Sequence, residues 1–323
     1  MVYDRQRGEG HDPLIHMGLL ATSPERVLAL RLALSSVVKP SSSVLEAGCG
    51  SLGIVAIIAA KIGARRVVAV DFGRLDLARA VAEQNGVAAR IEFIEGDLSD
   101  LDGSIGAFDV IVGMIYNNEP RRDFTQQQIM ASLVRRFGRP GAAIIPDKVR
   151  YSVSGYDSAC ADSTGRTSKS EWEETVERIE GYAGISLAGI PQLTGDSLRR
   201  PVDEEWSRWL SQGNLAARFG YPDRRAVRQL TERSLFTEID YNDSDGAVAY
   251  PPSVTLAVTQ PGRLDTAIWR QDLAHGDLLI RSTETRQPLV TPQDVLTGDV
   301  AILSTADEWG DAIPLTVRRP GPT

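Results

Sequence analysis

The sequence predicts an α/β fold in which a doubly wound parallel sheet is followed by an all-β, barrel-like half. Three observations predict it. Apolar strand-length runs alternate with helix-length runs from Ser43 to Pro146. A glycine turn, Gly48-Cys49-Gly50-Ser51-Leu52-Gly53, joins the first strand to the first helix of that alternation. From Ser253 onward, short β-patterned runs follow one another, broken by Pro261-Gly262 and His275-Gly276.

The elements follow in order. Ser23 and Pro24 read as N-cap and first helical residue of a helix whose Val27, Leu30 and Leu34 share a face. Ser43–Glu46 is a strand, Ile54–Ile62 a helix and Val67–Val70 a strand. Leu75–Asn85 is a helix stopped by Gly86, and Ile91–Ile94 is a strand. Phe108–Val112 is almost wholly apolar, as a strand buried on both faces should be. Phe124–Arg136 is a helix and Gly141–Pro146 a strand. After a strand at Tyr151–Ser154 the chain turns polar and acidic to about Asp245, with helical stretches at Glu171–Glu180 and Asp203–Gln212. Strands are then expected at 253–258, 264–269, 277–281, 300–305 and 313–317.

A length of 323 residues suits two domains, placed at 1–150 and 151–323. Hydrophobic content of 42% supports a sizeable core. A formal charge of −8 argues against nucleic acid as partner and favours cations. The polar stretch Met1–Arg7 is not followed by an apolar leader, and no run approaches the roughly 18 apolar residues of a membrane span, so a cytoplasmic location without membrane contact is expected. Cys49 and Cys160 are too few for a disulfide framework or zinc site, and His11, His16 and His275 lack ligand spacing, so no metal is expected.

The candidate site lies at the strand ends. Gly48 and Gly50 let a ligand approach backbone that any Cβ would obstruct. Asp71 ends the second strand, where a carboxylate either binds both hydroxyls of a ribose or caps the following helix. Asp97 and Leu98 follow the third strand; the carboxylate suits an adenine amino group, and Leu98 offers a backbone N–H. The fourth strand leads into Gly113-Met114-Ile115-Tyr116-Asn117-Asn118-Glu119, which faces the ligand crevice of such a sheet.

The glycine turn, Glu46 two residues before it, Asp71 and Gly96-Asp97 together resemble a class I S-adenosylmethionine (SAM)-dependent methyltransferase with a Rossmann-like domain. Arg139–Asp147 running through Pro146-Asp147 into Tyr151-Ser152-Val153 is similar to the protein arginine methyltransferase family, as are Trp269-Arg270-Gln271, Pro288-Leu289 and the Gly298-Asp299 turn. The resemblance spans about residues 15 to 317 and is weakest between Ala161 and Asp245. It implies SAM as cofactor and S-adenosylhomocysteine as product, held by Glu46, Gly48, Gly50, Asp71, Asp97 and Leu98. It further implies that Arg26 binds the SAM carboxylate, with a solvated helix face as the other reading. It also implies a helical dimerisation arm at about 161–245, hence a homodimer, and a place for Trp269 on the substrate side.

Two departures bear on substrate. Gly113-Met114-Ile115-Tyr116 stands where the family has Ser-Glu-Trp-Met, and Thr266-Ala267-Ile268-Trp269 lacks the histidine of its Thr-His-Trp signature. A guanidinium wants bidentate carboxylates on both sides, so arginine is disfavoured. Glu119 is the expected acceptor for an amine and its proton, with Tyr116, Asn117 and Asn118 orienting the substrate; a helix N-terminal acid is the other reading of Glu119. His11 and His16 are alternative bases or structural residues. The acidic runs Glu171–Glu177 and Asp203–Glu205 either steer a polycation or form solvated faces. The leading expectation is N-methylation of a small cationic metabolite, an aminosugar of a gentamicin-type aminoglycoside. A protein arginine methyltransferase with a degenerate clamp, a natural-product O-methyltransferase, a catalytically silent SAM-binding dimer and a nicotinamide oxidoreductase stand behind it.

Overall fold

A computed structural model describes residues 25–116, 120–158, 177, 180–186, 228–243, 249–305 and 312–319. Its first half is a five-stranded parallel sheet formed by β1 (Ser43–Ala47), β2 (Arg66–Asp71), β3 (Ile91–Glu95), β4 (Phe108–Gly113) and β5 (Gly138–Ile145). The strand order is β3-β2-β1-β4-β5, so the sheet reverses direction between β1 and β4. Among the described residues four helices accompany it: α1 (Glu25–Val37), α2 (Ile54–Ile62), α3 (Asp76–Gln84) and α4 (Pro120–Phe137).

Alternation along each strand divides the core in two. Val44, Val67, Ala69, Val110 and Val112 face α1, α2 and α3, while Leu45, Val68, Val70 and Ile111 face α4. Residues 54–60 of α2 are all buried, as expected of a helix apolar around its whole circumference. Each fully buried aliphatic side chain contributes about 1.5–3 kcal/mol relative to exposure, so the sheet is held from both faces. The α4-side core continues without a break into the second half, where it includes Tyr151, Leu264, Trp269, Leu273 and Leu303.

That half is antiparallel. Its strands are β6 (Lys148–Asp157), β7 (Arg228–Gln229), β8 (Ser234–Asp240), β9 (Ser253–Ala257), β10 (Gly262–His275), β11 (Leu278–Val295), β12 (Val300–Ser304) and β13 (Leu315–Arg318). One sheet runs β11-β10-β6-β7 with β8 also on β6, and a second runs β13-β12-β9. Bridges between Thr231 and Val258 and between Leu289 and Ile313 join them into the barrel-like layer. The chain passes from β5 to β6 through a cis Ile145–Pro146 bond and Asp147.

The sequence-based expectation needs correction in three places. The helical arm cannot reach 245, because Ser234–Asp240 is a strand with Phe236 buried and its backbone paired to β6 from Lys148 to Val153. Long-range pairing decides that conformation, which a polar stretch without periodicity does not announce. The 203–212 helix lies outside the described residues, as does most of 171–180. Strands β10 and β11 form one long hairpin about Gly276 (φ 56°), because buried polar residues such as Gln271 and Thr283 extend them past the apolar runs. Helix α4 starts at Pro120, not Phe124, with proline in its first turn where no N–H is required.

Candidate functional site

Reversal of strand order between β1 and β4 sets the loops after those strands side by side, and ligands of doubly wound sheets bind in that crevice. Gly48 (φ 74°), Gly50 (φ 64°) and Gly53 (φ 58°) all adopt left-handed conformations. Space adds a second reason for glycine. A Cβ at Gly48 would overlap Cγ2 of Ile115 from the loop after β4, and one at Gly53 would lie 2.9 Å from Phe93 Cε1. Val70 O accepts the N–H groups of Gly48 (2.9 Å) and Cys49 (3.1 Å), which laces the turn to the end of β2.

Asp71 completes that lacing. Its Oδ2 accepts the Gly50 N–H at 2.7 Å and its Oδ1 the Gly73 N–H at 3.3 Å. A carboxylate oxygen can accept more than one hydrogen bond, so this buried group is of the kind that receives hydroxyls. Glu46, two residues before the turn, is buried, and its Oε2 has no hydrogen-bond partner among the described residues. Burial pushes its carboxyl up to about 8, the Ala56 N–H offsets part of this, and the charge of Asp71 adds to it. Burial, then the charges of Glu46 and Asp71, likewise push the Cys49 thiol up, which excludes it as a thiolate nucleophile.

Gly96 N–H donates to the Asp71 carbonyl at 2.8 Å and brings the end of β3 to the same edge. Asp97 is exposed there, and its Oδ1 accepts the Ser99 N–H at 2.8 Å as cap of a 3-10 turn at Leu98–Asp100. Leu98 is half-buried against the α4-side core. Arg26 sits in the first turn of α1, which packs on α2 and β11.

After β4, Gly113 is constrained by α4, since a Cβ there would lie 2.8 Å from Met130 Sδ. Met114, at the place of the expected clamp carboxylate, is a half-buried side chain touching both cores. Tyr116 is buried and donates to Tyr241 Oη at 2.8 Å. Burial, then the neighbouring Tyr241, pushes its hydroxyl well above the usual phenol range, so Tyr116 is no proton acceptor at neutral pH. Its hydroxyl proton is committed to Tyr241. Trp269 is corrected: it is 0% exposed, stacked edge-on to Phe236, with Nε1 donating to Gln287 Oε1 at 3.0 Å. A side chain without exposed surface belongs to the barrel core, not to a substrate face. His11, His16, Asn117, Asn118 and Glu119 lie outside the described residues. Among the described residues no group of three or more His, Cys, Asp or Glu could hold a metal ion, and no helix is long and apolar enough to cross a membrane.

Sequence reasoning missed Asp123. This fully buried carboxylate in the first turn of α4 accepts Tyr151 Oη at 2.8 Å and Gln271 Nε2 at 2.6 Å, both on Oδ2. Gln127 Nε2 donates to the same tyrosine oxygen at 2.9 Å, and Arg281 donates to Gln271 Oε1. The network joins α4 to both long strands of the second half. The signal available in the sequence was Pro120 as a helix start, which would have put Asp123 in a first turn.

The profile of the family described as ribosomal protein L11 methyltransferase (PrmA) matches residues 25–128, which cover α1 to the start of α4. The chain is 42% identical over 90 residues to the ribosomal protein L11 methyltransferase of Pelotomaculum thermopropionicum, covering 27% of this chain and 28% of that protein. It is 39% identical over 164 residues to the ribosomal protein arginine N-methyltransferase rmt3 of Schizosaccharomyces pombe, covering 46% of this chain and 28% of that one. The chain thus spans less than a third of the length of either relative. Among solved structures, it shares its fold with protein arginine methyltransferase 10 of Arabidopsis thaliana (TM-score 0.56, 18% identity, 87% of this chain and 83% of that one). It likewise shares its fold with the Trypanosoma brucei PRMT1 enzyme–prozyme heterotetrameric complex with AdoHcy (TM-score 0.55, 18% identity, 90% and 87%). A parallel-sheet domain followed by an antiparallel one is therefore an architecture in use elsewhere.

Proposed function

We propose that the chain is a SAM-dependent N-methyltransferase whose acceptor is an amine of a small cationic metabolite, foremost an aminosugar of an aminoglycoside. The observation that carries the cofactor reading is Asp71, fixed by the Gly50 N–H at the end of β2 beside the unpartnered Oε2 of Glu46. The residues present fit SAM. Asp71 would take the ribose hydroxyls, Glu46 the cofactor's ammonium group, and Asp97 with Leu98 the adenine edge, while the left-handed glycines keep side chains out of the way. The profile match over residues 25–128 covers all of these positions and supports the same cofactor.

When bound, SAM supplies a sulfonium methyl that a lone pair attacks in line, so the protein's task is positioning. Glu119 would hold the amine and receive its proton, Asn117 and Asn118 would orient it, and His11 or His16 would serve as alternative base. Tyr116, bonded to Tyr241, would help to orient the acceptor. Uncharged Met114 in place of a clamp carboxylate, together with a net charge of −8, favours a compact polyamine over a guanidinium. A homodimer and a cytoplasmic location complete the proposal, with the acidic surface drawing in the cation. Incubation with SAM and an aminoglycoside panel should yield products one methyl heavier. An unmodified panel alongside a methylated Arg-Gly peptide would overturn the substrate reading.

That second outcome is the alternative reading, transfer to protein arginine. It is favoured by the 39% identity over 164 residues to the fission-yeast ribosomal protein arginine N-methyltransferase.

A further inference from the structure

The glycine turn is held by more than its own hydrogen bonds. Val70 O accepts the N–H groups of Gly48 and Cys49, and Asp71 accepts that of Gly50. A further support is the side chain of Ile115, the second residue after β4. A Cβ built on Gly48 would overlap Ile115 Cγ2 and lie 3.7 Å from Ile115 Cβ. Among the described residues nothing else from outside the turn comes within 4 Å of that position. The space left by the missing side chain of Gly48 is therefore filled by Ile115.

Ile115 is itself fixed from both neighbours. Met114 touches both cores, and Tyr116 is buried with its hydroxyl on Tyr241 Oη at 2.8 Å. Gly113, one residue further back, is closed in by Met130 and Ala47. A β-branched side chain has few χ1 rotamers open to it, so a fixed backbone also fixes Cγ2. The turn and Ile115 follow β1 and β4, the paired strands at which the sheet reverses direction. Their contact thus joins the two sides of the ligand crevice.

Resting on the methyltransferase reading, we infer that Ile115 is a positioning residue for the cofactor turn. Its Cγ2 methyl, seated on Gly48, holds the turn in the conformation that keeps the Gly50 N–H on Asp71. Ile115 need not touch the cofactor to do this, because its effect passes through Gly48 and Gly50 to Asp71. Cofactor affinity should therefore follow the presence of a methyl branch on the β-carbon of residue 115, not the volume of its side chain. Ile115 in return demands glycine at 48, since any side chain there claims the same space.

The test uses the full chain and compares Ile115→Val, which keeps the β-branch, with Ile115→Leu, which keeps the volume and loses the branch. Calorimetric affinity for S-adenosylhomocysteine should fall about fivefold in Ile115→Leu, roughly what one buried methyl contributes, and stay within about twofold of wild type in Ile115→Val. Backbone amide exchange of the turn, residues 48–50, should rise in Ile115→Leu and not in Ile115→Val, with β3 unchanged in both. Gly48→Ala should bind poorly, because the new methyl meets Ile115 and the backbone there is left-handed. Adding Ile115→Ala to Gly48→Ala should recover part of that affinity, so the two changes are not additive. Leu and Val variants that match in both affinity and exchange, or strict additivity of the Gly48 and Ile115 changes, would overturn the inference. If wild type does not bind S-adenosylhomocysteine, the cofactor reading falls instead, and exchange of the turn in the Val and Leu variants alone decides whether Ile115 supports it.

Discussion

Gly50 donates its backbone N–H to Oδ2 of Asp71 at 2.7 Å, so the glycine turn after β1 and the carboxylate ending β2 form one rigid unit. Neither residue could do this alone. Gly50 reaches the carboxylate with φ at 64°, and Asp71 is held by that donor together with the Gly73 N–H.

Asp71→Ala removes a charged acceptor from both the turn and the ribose. A hydrogen bond to a charged group is worth about 1.5–3 kcal/mol, so affinity for S-adenosylhomocysteine should drop about 10–100-fold. Asp71→Asn, which keeps one acceptor oxygen, should fall between the two. Titration calorimetry at fixed salt measures this, and an alanine variant that binds like wild type would remove Asp71 from the cofactor site.

Glu46 ties binding to protons. Burial lifts its carboxyl from an ordinary 4.5 to about 8, so at pH 7 the ligand-free protein holds it neutral. The sign follows from linkage. The native state binds the extra proton, so this stabilisation is fully present below about pH 4.5 and is lost as pH climbs through about 8. An incoming ammonium reverses the preference and should expel that proton. Calorimetry at pH 7 in buffers of different ionisation enthalpy should show close to one proton released per cofactor bound, and none for Glu46→Gln. Equal enthalpies in all buffers for wild type would contradict the pairing.

The parallel sheet was legible because each of its strands carries its own apolar signal: Val44-Leu45, Val67–Val70 and Val110–Val112 need no distant partner to read as strands. The glycine turn was legible for the same local reason. What escaped depends on residues far apart in the chain. Ser234–Asp240 becomes a strand only through β6, and Asp123 acquires its partners from Tyr151, 28 residues on, and Gln271, 148 residues on. Trp269 fits a substrate face as a sequence signature, yet its burial is set by Phe236 and Gln287 from other strands.

Glycine at position 113 has a packing reason that can be tested. A Cβ on Gly113 would lie 2.8 Å from Met130 Sδ and 3.4 Å from Ala47 Cβ, in a fully packed layer between β4 and α4. Gly113→Ala should therefore destabilise the fold by about 1–3 kcal/mol, the usual cost of overpacking. Met130→Ala alone should cost about 2–5 kcal/mol through the cavity it opens. Combined, the two changes should cost less than their sum, because the new methyl enters space that the thioether has left. Denaturant unfolding of the four proteins gives the coupling, and strict additivity would mean that Met130 does not exclude a side chain at 113.

Asp123 makes the strongest demand on the fold. Its Oδ2 is the acceptor for both Tyr151 Oη and Gln271 Nε2 in a site with no solvent access. Asp123→Ala would strand two buried donors and remove the carboxylate that ties α4 to both β6 and β10, at a cost of about 3–5 kcal/mol. Asp123→Asn is more informative because it preserves shape. Its amide keeps one acceptor oxygen for the two donors but turns the other oxygen into an NH2 group and removes the charge, so a loss of about 1–3 kcal/mol is expected. Because Asp123 lies four residues after Glu119, Asp123→Asn should also reduce methyl transfer more than it reduces S-adenosylhomocysteine affinity. Unfolding midpoints, calorimetry and turnover on the same preparations separate the effects. An Asn variant as stable as wild type, and equally active, would show that the buried charge is dispensable to both the junction and the acceptor side.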